Sequence, residues 1–280
     1  MKKIHQRIER RSVANLLDSL AYDWLNRGAA AVASRRGHKM AVFANDLIGN
    51  SINVFGIYER EELATLFDFL SPFAREFAEG AALDIGANIG NHALSLSCHF
   101  ATVHAFEPNP ESYRLLQLNA GCKDNVVVHP YGLGDKAGRF QLAETPENVG
   151  QSVIDETGAI DIEIKRLDDL EFQNVKFIKM DVEGFELKVI SGGLEFFERC
   201  KPIIAFEQLE HEFDGNGTPT IRALAGLGYR FCWLETGAKS HRRISSFVEL
   251  VTGRAHKVLS GAIPPRTHSL IIALPPGCNL

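Results

Sequence analysis

The stretch "ALDIGANIGNHALSLS", Ala82 to Ser97, decides the fold. An apolar run reaches Asp84 and Ile85, a tight turn lies between Gly86 and Gly90, and the apolar spacing then becomes that of a helix. Strand, glycine turn and helix in that order hold nucleotide-like ligands at the end of a parallel sheet. The spacing here is G-x-x-x-G, not the G-x-G-x-x-G of dinucleotide folds. An ionised Asp84 at the mouth of that turn would repel a diphosphate by about 1 to 4 kcal/mol per unit charge at 4 Å. The ligand it invites is a cation without phosphate. S-adenosyl-L-methionine, with its sulfonium, amino group and adenosine, has that description, and the glycines let the backbone approach it closely.

Working outward, Glu107 ends the next strand in "HAFEPNP", where a carboxylate accepts hydrogen bonds from both ribose hydroxyls. Further strands are expected at 125–130, 175–181, 202–207, 229–235 and 269–275, with helices at 90–99, 111–120, 186–197 and 219–227 between most of them. This alternation predicts an α/β fold with a largely parallel sheet and helices on both faces. "GRFQLAE" and "AIDIEIKRL" are additional strand-like pieces between the third and fourth core strands. Residues 237–267 form a polar stretch without a period, as expected of a lid or binding surface.

Upstream, residues 1 to about 40 read as helical, with Val13, Leu16, Leu17, Leu20 and Trp24 on one face. Nine cations (Lys2, Lys3, Arg7, Arg10, Arg11, Arg27, Arg35, Arg36, Lys39) surround that stripe, against Glu9, Asp18 and Asp23. Two readings follow: a solvated helix packed on the main body, or a docking face for an anionic surface or acidic substrate. "MAVFAND" and "SINVFG" read as two short strands around a turn, before a helix at about 59–70. The division expected is an extension over 1–50 and a single domain over 51–280.

The chain has 280 residues, 45% hydrophobic and 23% charged, with a net charge of −5, values ordinary for a globular protein. That charge does not favour nucleic acid as a partner. No apolar run reaches membrane-spanning length, and the charged N-terminus lacks the apolar stretch of a secretory signal. Five scattered cysteines suit reduced thiols, so a cytoplasmic location is expected.

"LDIGANIGNHAL", "FEPNPESYRLLQLN", "YGLGD" and "FIKMDVEGFELKVISG" together resemble the FkbM-type S-adenosylmethionine-dependent methyltransferases. "GIYEREEL" at 56–63 is similar to that family's approach to the core. The resemblance runs from about residue 50 to 210. It implies a Rossmann-like class I methyltransferase fold, a seven-stranded sheet whose last strand runs antiparallel, and O-methylation of a hydroxyl on a sugar, glycoconjugate or secondary metabolite. By matching positions, Asp84, Gly86, Ala87, Asn88, Gly90 and Glu107 hold the cofactor. Gly132 and Leu133 border the adenine, with Tyr58 and Glu59 as further neighbours.

An alcohol is a weak nucleophile near neutral pH, so a base is expected at the carboxyl end of the strands. Asp181 and Glu183 flank Val182 there, and could act as a base, orient the acceptor, ligate a divalent ion, or merely cap the next helix. Lys179 can pair with Asp181 and lower its basicity. Glu207 ends the following strand and His211 follows it, a histidine suiting the base role. His92 could touch cofactor or acceptor, and Gln151 and Ser152 in "NVGQSV" could hydrogen-bond a hydroxylated acceptor. No residue set demands a metal. The competing readings are a non-catalytic binder of the same cofactor and a nicotinamide-dependent oxidoreductase.

Overall fold

The computed structural model describes residues 16–23, 26–28, 38–44, 46–145, 148–154, 158–214, 217–236 and 256–278. Residues 16–23 and 26–28 are helical. Leu16, Leu17 and Leu20 are 57%, 61% and 58% exposed, so these three members of the N-terminal stripe do not pack on the main body. Val13 and Trp24 lie outside the described residues.

Among the described residues, the pair of strands expected at 40–46 and 51–56 is absent. Instead Leu47–Phe55 forms helix α1, because the Asp46 carboxylate accepts from the Gly49 backbone N–H at 2.8 Å and caps it. That cap, with Ile52 turned inward, overrides the β-branched character of "SINVF". Helices α2 (Arg60–Phe69) and α3 (Ala74–Ala78) then lead into β1 (Ala81–Ile85).

All five β1 residues are buried, as a strand covered on both faces must be. The glycine turn leads into α4 (Asn91–Leu96), β2 (Thr102–Phe106), α5 (Pro110–Ala120) and β3 (Val126–His129). Strands β4 (Gly132–Leu133), β5 (Gly138–Thr145), β6 (Asn148–Ile154) and β7 (Ile160–Lys165) form a separate sheet in the order β4-β7-β5-β6. The two inserted strand-like pieces are therefore β5 and β7. "NVGQSV" is strand β6 rather than an open polar loop; the side chains of Gln151 and Ser152 lie outside the described set.

The chain returns through β8 (Val175–Met180), α6 (Glu186–Ser191), α7 (Leu194–Cys200), β9 (Ile203–Gln208), α8 (Pro219–Gly226), β10 (Arg230–Thr236), β11 (His256–Ser260) and β12 (His268–Leu274). The helix expected over 186–197 is broken in two. A Cβ on Gly192 would lie 1.9 Å from the Gly134 carbonyl oxygen, so the chain passes that point only as glycine.

The main sheet runs β11-β10-β12-β9-β8-β1-β2-β3. Strands β9, β8, β1, β2 and β3 pair in parallel, while β12 is antiparallel to both β9 and β10. The seven anticipated strands are present with the last one reversed, and β11 adds an eighth at the edge. It falls in the stretch read as aperiodic, whose residues 237–255 lie outside the described set. Strand alternation separates two apolar layers. Leu83, Ile85, Ile178 and Phe206 face one, and Ala82, Phe177, Ala205 and Leu96 face the other. Among the described residues no helix is long and apolar enough to cross a membrane.

Candidate active site

Two cavities meet at the carboxyl ends of β1, β8 and β9. The first, about 80 Å³, is lined by Gly86, Asn88, Glu107, Gly132, Leu133 and Phe185, with Leu142 of β5 and Ile154 of β6 along one side. The second, about 150 Å³, is lined by Leu47, Ile48, Tyr58, Glu59, Ala87, His92 and Glu207 among others. Gly86, Asn88, Asp181 and Glu183 border both. A wider cleft of about 1090 Å³ lies between α5 and the small sheet, but none of these carboxylates lines it, so it is not the reaction centre.

The floor between the cavities is the glycine turn. Gly86 has φ +82°, and a Cβ there would meet the Asp181 carbonyl oxygen at 1.9 Å. The strand ends thus approach each other only because position 86 lacks a side chain. Asn88 has φ +48° and donates its backbone N–H to Glu107 Oε2 at 2.8 Å. Glu107 Oε1 accepts from the Asn109 N–H at 2.8 Å. Burial pushes the Glu107 carboxyl up to about 7, although these two bonds favour the ionised form. Asn88 Oδ1 is buried without a partner among the described residues, an acceptor turned to a site that lacks its donor.

Asp84 does not stand at the mouth. It is 1% exposed and lines neither cavity, because alternation along β1 directs it to the face covered by α4. It sits beside Lys179 in the β1–β8 register. Burial raises its pKa, against the pull of His92 and Lys179. Gly90 also lies off the cavities and caps the start of α4.

The second cavity holds a charged network. Lys179, 4% exposed, donates to Asp181 Oδ2 at 3.1 Å, the pairing the alternation suggested. Burial opposes charge on Asp181, yet Lys179 and His92 outweigh it and hold the carboxyl below its usual range. Asp181 and Glu207 line the same cavity. Burial, then the charges of Asp181 and Glu183, push Glu207 up to about 7. Burial and Asp181 likewise raise Glu183. A carboxylate held ionised beside a carboxyl that titrates near neutrality is an acid–base pair.

The segment before α2 completes the site. Asn91 Oδ1 accepts from the Tyr58 N–H at 3.1 Å, and Asn91 Nδ2 donates to the Tyr58 carbonyl at 3.0 Å. This reciprocal lock presents Glu59, whose Oε2 lies 3.1 Å from His92 Nε2. His92 is 8% exposed and lines the cavity, so it is not a surface residue. Burial raises the Tyr58 pKa, with Glu59, Asp181 and Glu207 adding to it. Five non-glycine residues have positive φ among those described, and three of them, Glu59, Asn88 and Glu183, line this cavity. Such strain persists where the surroundings enforce it, and it concentrates at functional sites.

His211 is not brought in. It is exposed in the turn Glu210–Glu212 and lines neither cavity. Glu207, four residues earlier, lines the second cavity instead, and its position as the last-but-one residue of the buried strand β9 is the signal that finds it. Leu142, Ile154, Ile164 and Phe185 were not legible as site residues, because the small sheet folds over the first cavity from far along the chain.

The open α/β sheet with its last strand antiparallel, a glycine turn and carboxylates at the strand ends defines a Rossmann-like methyltransferase fold. A family model described as "Methyltransferase FkbM domain" matches residues 84–231, just over half of the chain, and the chain belongs to that family. The hexuronic acid methyltransferase AglP of Haloferax volcanii is 29% identical over 177 residues, covering 61% of this chain and 73% of that protein. Methyltransferase sdnD of Sordaria araneosa is 30% identical over 152 residues, 39% of this chain and 59% of its own length. A solved FkbM methyltransferase from Methylobacillus flagellatus KT superposes with a TM-score of 0.45 at 18% identity, covering 88% of this chain and 58% of that one.

Proposed function

We propose that this methyltransferase uses S-adenosyl-L-methionine and transfers the methyl group to a hydroxyl of a sugar or glycoconjugate. The observation that carries the reading is the pair of cavities that share Gly86, Asn88, Asp181 and Glu183. The first offers a ribose-binding carboxylate, Glu107, an unpartnered amide oxygen on Asn88, and apolar walls for an adenine at Gly132, Leu133 and Phe185. The second offers an ionised carboxylate and a titrating one beside the junction. When bound, the cofactor supplies an electrophilic methyl group on a cationic sulfur. Ala87 lines the second cavity beside the turn, while Asp84 and Gly90 lie behind it.

The residues of this chain do the rest. Lys179 keeps Asp181 charged, and that charge, with burial, raises the Glu207 carboxyl toward neutrality. Once deprotonated, Glu207 would accept the proton of the acceptor hydroxyl. Glu183 orients the acceptor, and Tyr58, Glu59 and His92 line the same cavity. Alignment of the two reactants lowers the barrier by roughly 7–11 kcal/mol. The relative from Haloferax volcanii is named for a hexuronic acid, which supports a sugar acceptor. Residues 1–50 remain, under this reading, an extension to a domain over 51–280.

Calorimetry with S-adenosyl-L-methionine and S-adenosyl-L-homocysteine is the direct test. Binding of both is expected, and no binding of either at hundreds of micromolar would sink the reading. Incubation with isotopically labelled donor and a panel of uronic acids and neutral sugars then identifies the acceptor by mass spectrometry.

A further inference from the structure

The stretch from Ala41 to Tyr58 is tied to the core at both ends by the same device. Asn119 of α5, 3% exposed, accepts from the Ala41 N–H through Oδ1 at 2.7 Å and donates from Nδ2 to the Ala41 carbonyl at 2.9 Å. The same Nδ2 donates to the Ile89 carbonyl in the glycine turn at 2.8 Å. At the far end Asn91 repeats the pattern on Tyr58. A side-chain amide that satisfies both backbone groups of one residue does the work of a neighbouring strand. Between the clamps, Asp46 caps α1, and a Cβ on Gly49 would collide with the Phe43 carbonyl oxygen, so the helix lies against its own approach. These ties fix α1 relative to the glycine turn, and its residues Leu47 and Ile48 line the second cavity beside Glu183 and Glu207. Leu47 is also 63% exposed, so it stands at the mouth. Val54 and Phe55, seven and eight positions on, share its face of the helix and are 36% and 67% exposed. An apolar strip about 12 Å long therefore runs outward from the cavity along one helix.

We propose that Leu47 and Ile48 are specificity-determining residues, selecting an acceptor whose sugar carries an apolar aglycone, and that the aglycone lies on Leu47, Val54 and Phe55. The occupant follows from continuity. Leu47 belongs both to the lining of the cavity and to the strip outside it, so a sugar seated among the carboxylates has its substituent directed over that strip. The polar lining suits hydroxyls, and the strip suits a group that gains by leaving water. This role rests on the acceptor entering the second cavity, as proposed above.

The test is binding of octyl and methyl glycosides of glucose, galactose and mannose to the full chain loaded with S-adenosyl-L-homocysteine, with the octyl compounds kept below micelle-forming concentration. At least one octyl glycoside should bind about tenfold tighter than its methyl counterpart, the gain from covering a few methylenes. Leu47→Ser should bring the two affinities within about twofold of each other. Val54→Ser combined with Phe55→Ser changes only residues outside the cavity. It should weaken the octyl compound and leave the thermal midpoint and the affinity for S-adenosyl-L-homocysteine as they are, because both side chains are exposed. Equal affinities within every pair, no binding of any octyl glycoside, or a preference that survives both variants overturns the proposal while the cofactor reading stands. Failure of S-adenosyl-L-homocysteine to bind is a separate result that overturns both. Two further outcomes assign the strip to another occupant and overturn the proposal. One is a lower thermal midpoint in the Val54→Ser, Phe55→Ser variant, which gives the strip to this chain's own packing. The other is a wild-type dimer that light scattering finds monomeric in that variant, which gives it to a second copy.

Discussion

Under the proposed function Glu207 and Asp181 carry the chemistry as a pair, and Lys179 holds Asp181 ionised. Glu207→Gln removes the titrating carboxyl but keeps its shape, so turnover should fall by about 10²- to 10⁴-fold while cofactor affinity holds. In the wild type, kcat/KM should rise as pH passes about 7, where Glu207 loses its proton, and that rise should vanish in the variant. A Glu207→Gln enzyme with unchanged turnover rules this base out. Lys179→Met removes the cation that is hydrogen-bonded to Asp181. Because Asp181 is about a third exposed, a loss near the lower end of the range for a broken buried pair, about 3 kcal/mol, is expected from urea unfolding.

Glu107 gives a second test at this scale. Its folded pKa of about 7 lies above its unfolded value of 4.5, so the native state binds the extra proton between those pH values. Stability from this group therefore falls as pH rises from about 4.5 to 7, the opposite of a salt-bridged carboxylate. Ribose hydroxyls donating to Glu107 favour its ionised form, so binding near neutrality should release protons. Calorimetry of S-adenosyl-L-homocysteine in two buffers of different ionisation enthalpy measures this. Identical heats in both, or proton uptake, would show that Glu107 does not meet the ribose.

At the scale of elements, the first cavity is closed by the β5–β6 hairpin through Leu142 and Ile154. Ligand pockets usually measure about 300–1,000 Å³, several times the space now open there. The hairpin must shift for a nucleoside to enter, and hydrogen exchange in residues 138–154 should slow on binding. Exchange unchanged by saturating ligand would place the nucleoside elsewhere. Asn91→Ala unties Tyr58 from α4, so residues 56–63 should exchange faster and activity should drop while the sheet stays protected. Element identity along the sheet could be read from period and burial, since β1, β8 and β9 are short, apolar and bounded by turn residues. Failures came where a local signal competed with a cap or a contact. Asp46 turned "SINVF" into helix, and the packing of Gly192 against Gly134 split a helix the spacing made continuous.

For the whole molecule, the order of strands and helices, the glycine turn, and the carboxylates at 107, 181, 183 and 207 were determined by the sequence itself. Period, turn chemistry and strand ends are local properties that one stretch of chain carries alone. Tertiary structure decided which of those groups face a common space. It sent Asp84 beneath the turn and His211 to the surface, and it brought Tyr58, Glu59 and His92 into the cavity that Glu207 lines. It also decided that Glu207 titrates near 7 while Asp181 stays ionised. The physical reason is that burial and electrostatic coupling depend on distances between residues remote in sequence, and no local pattern encodes those distances.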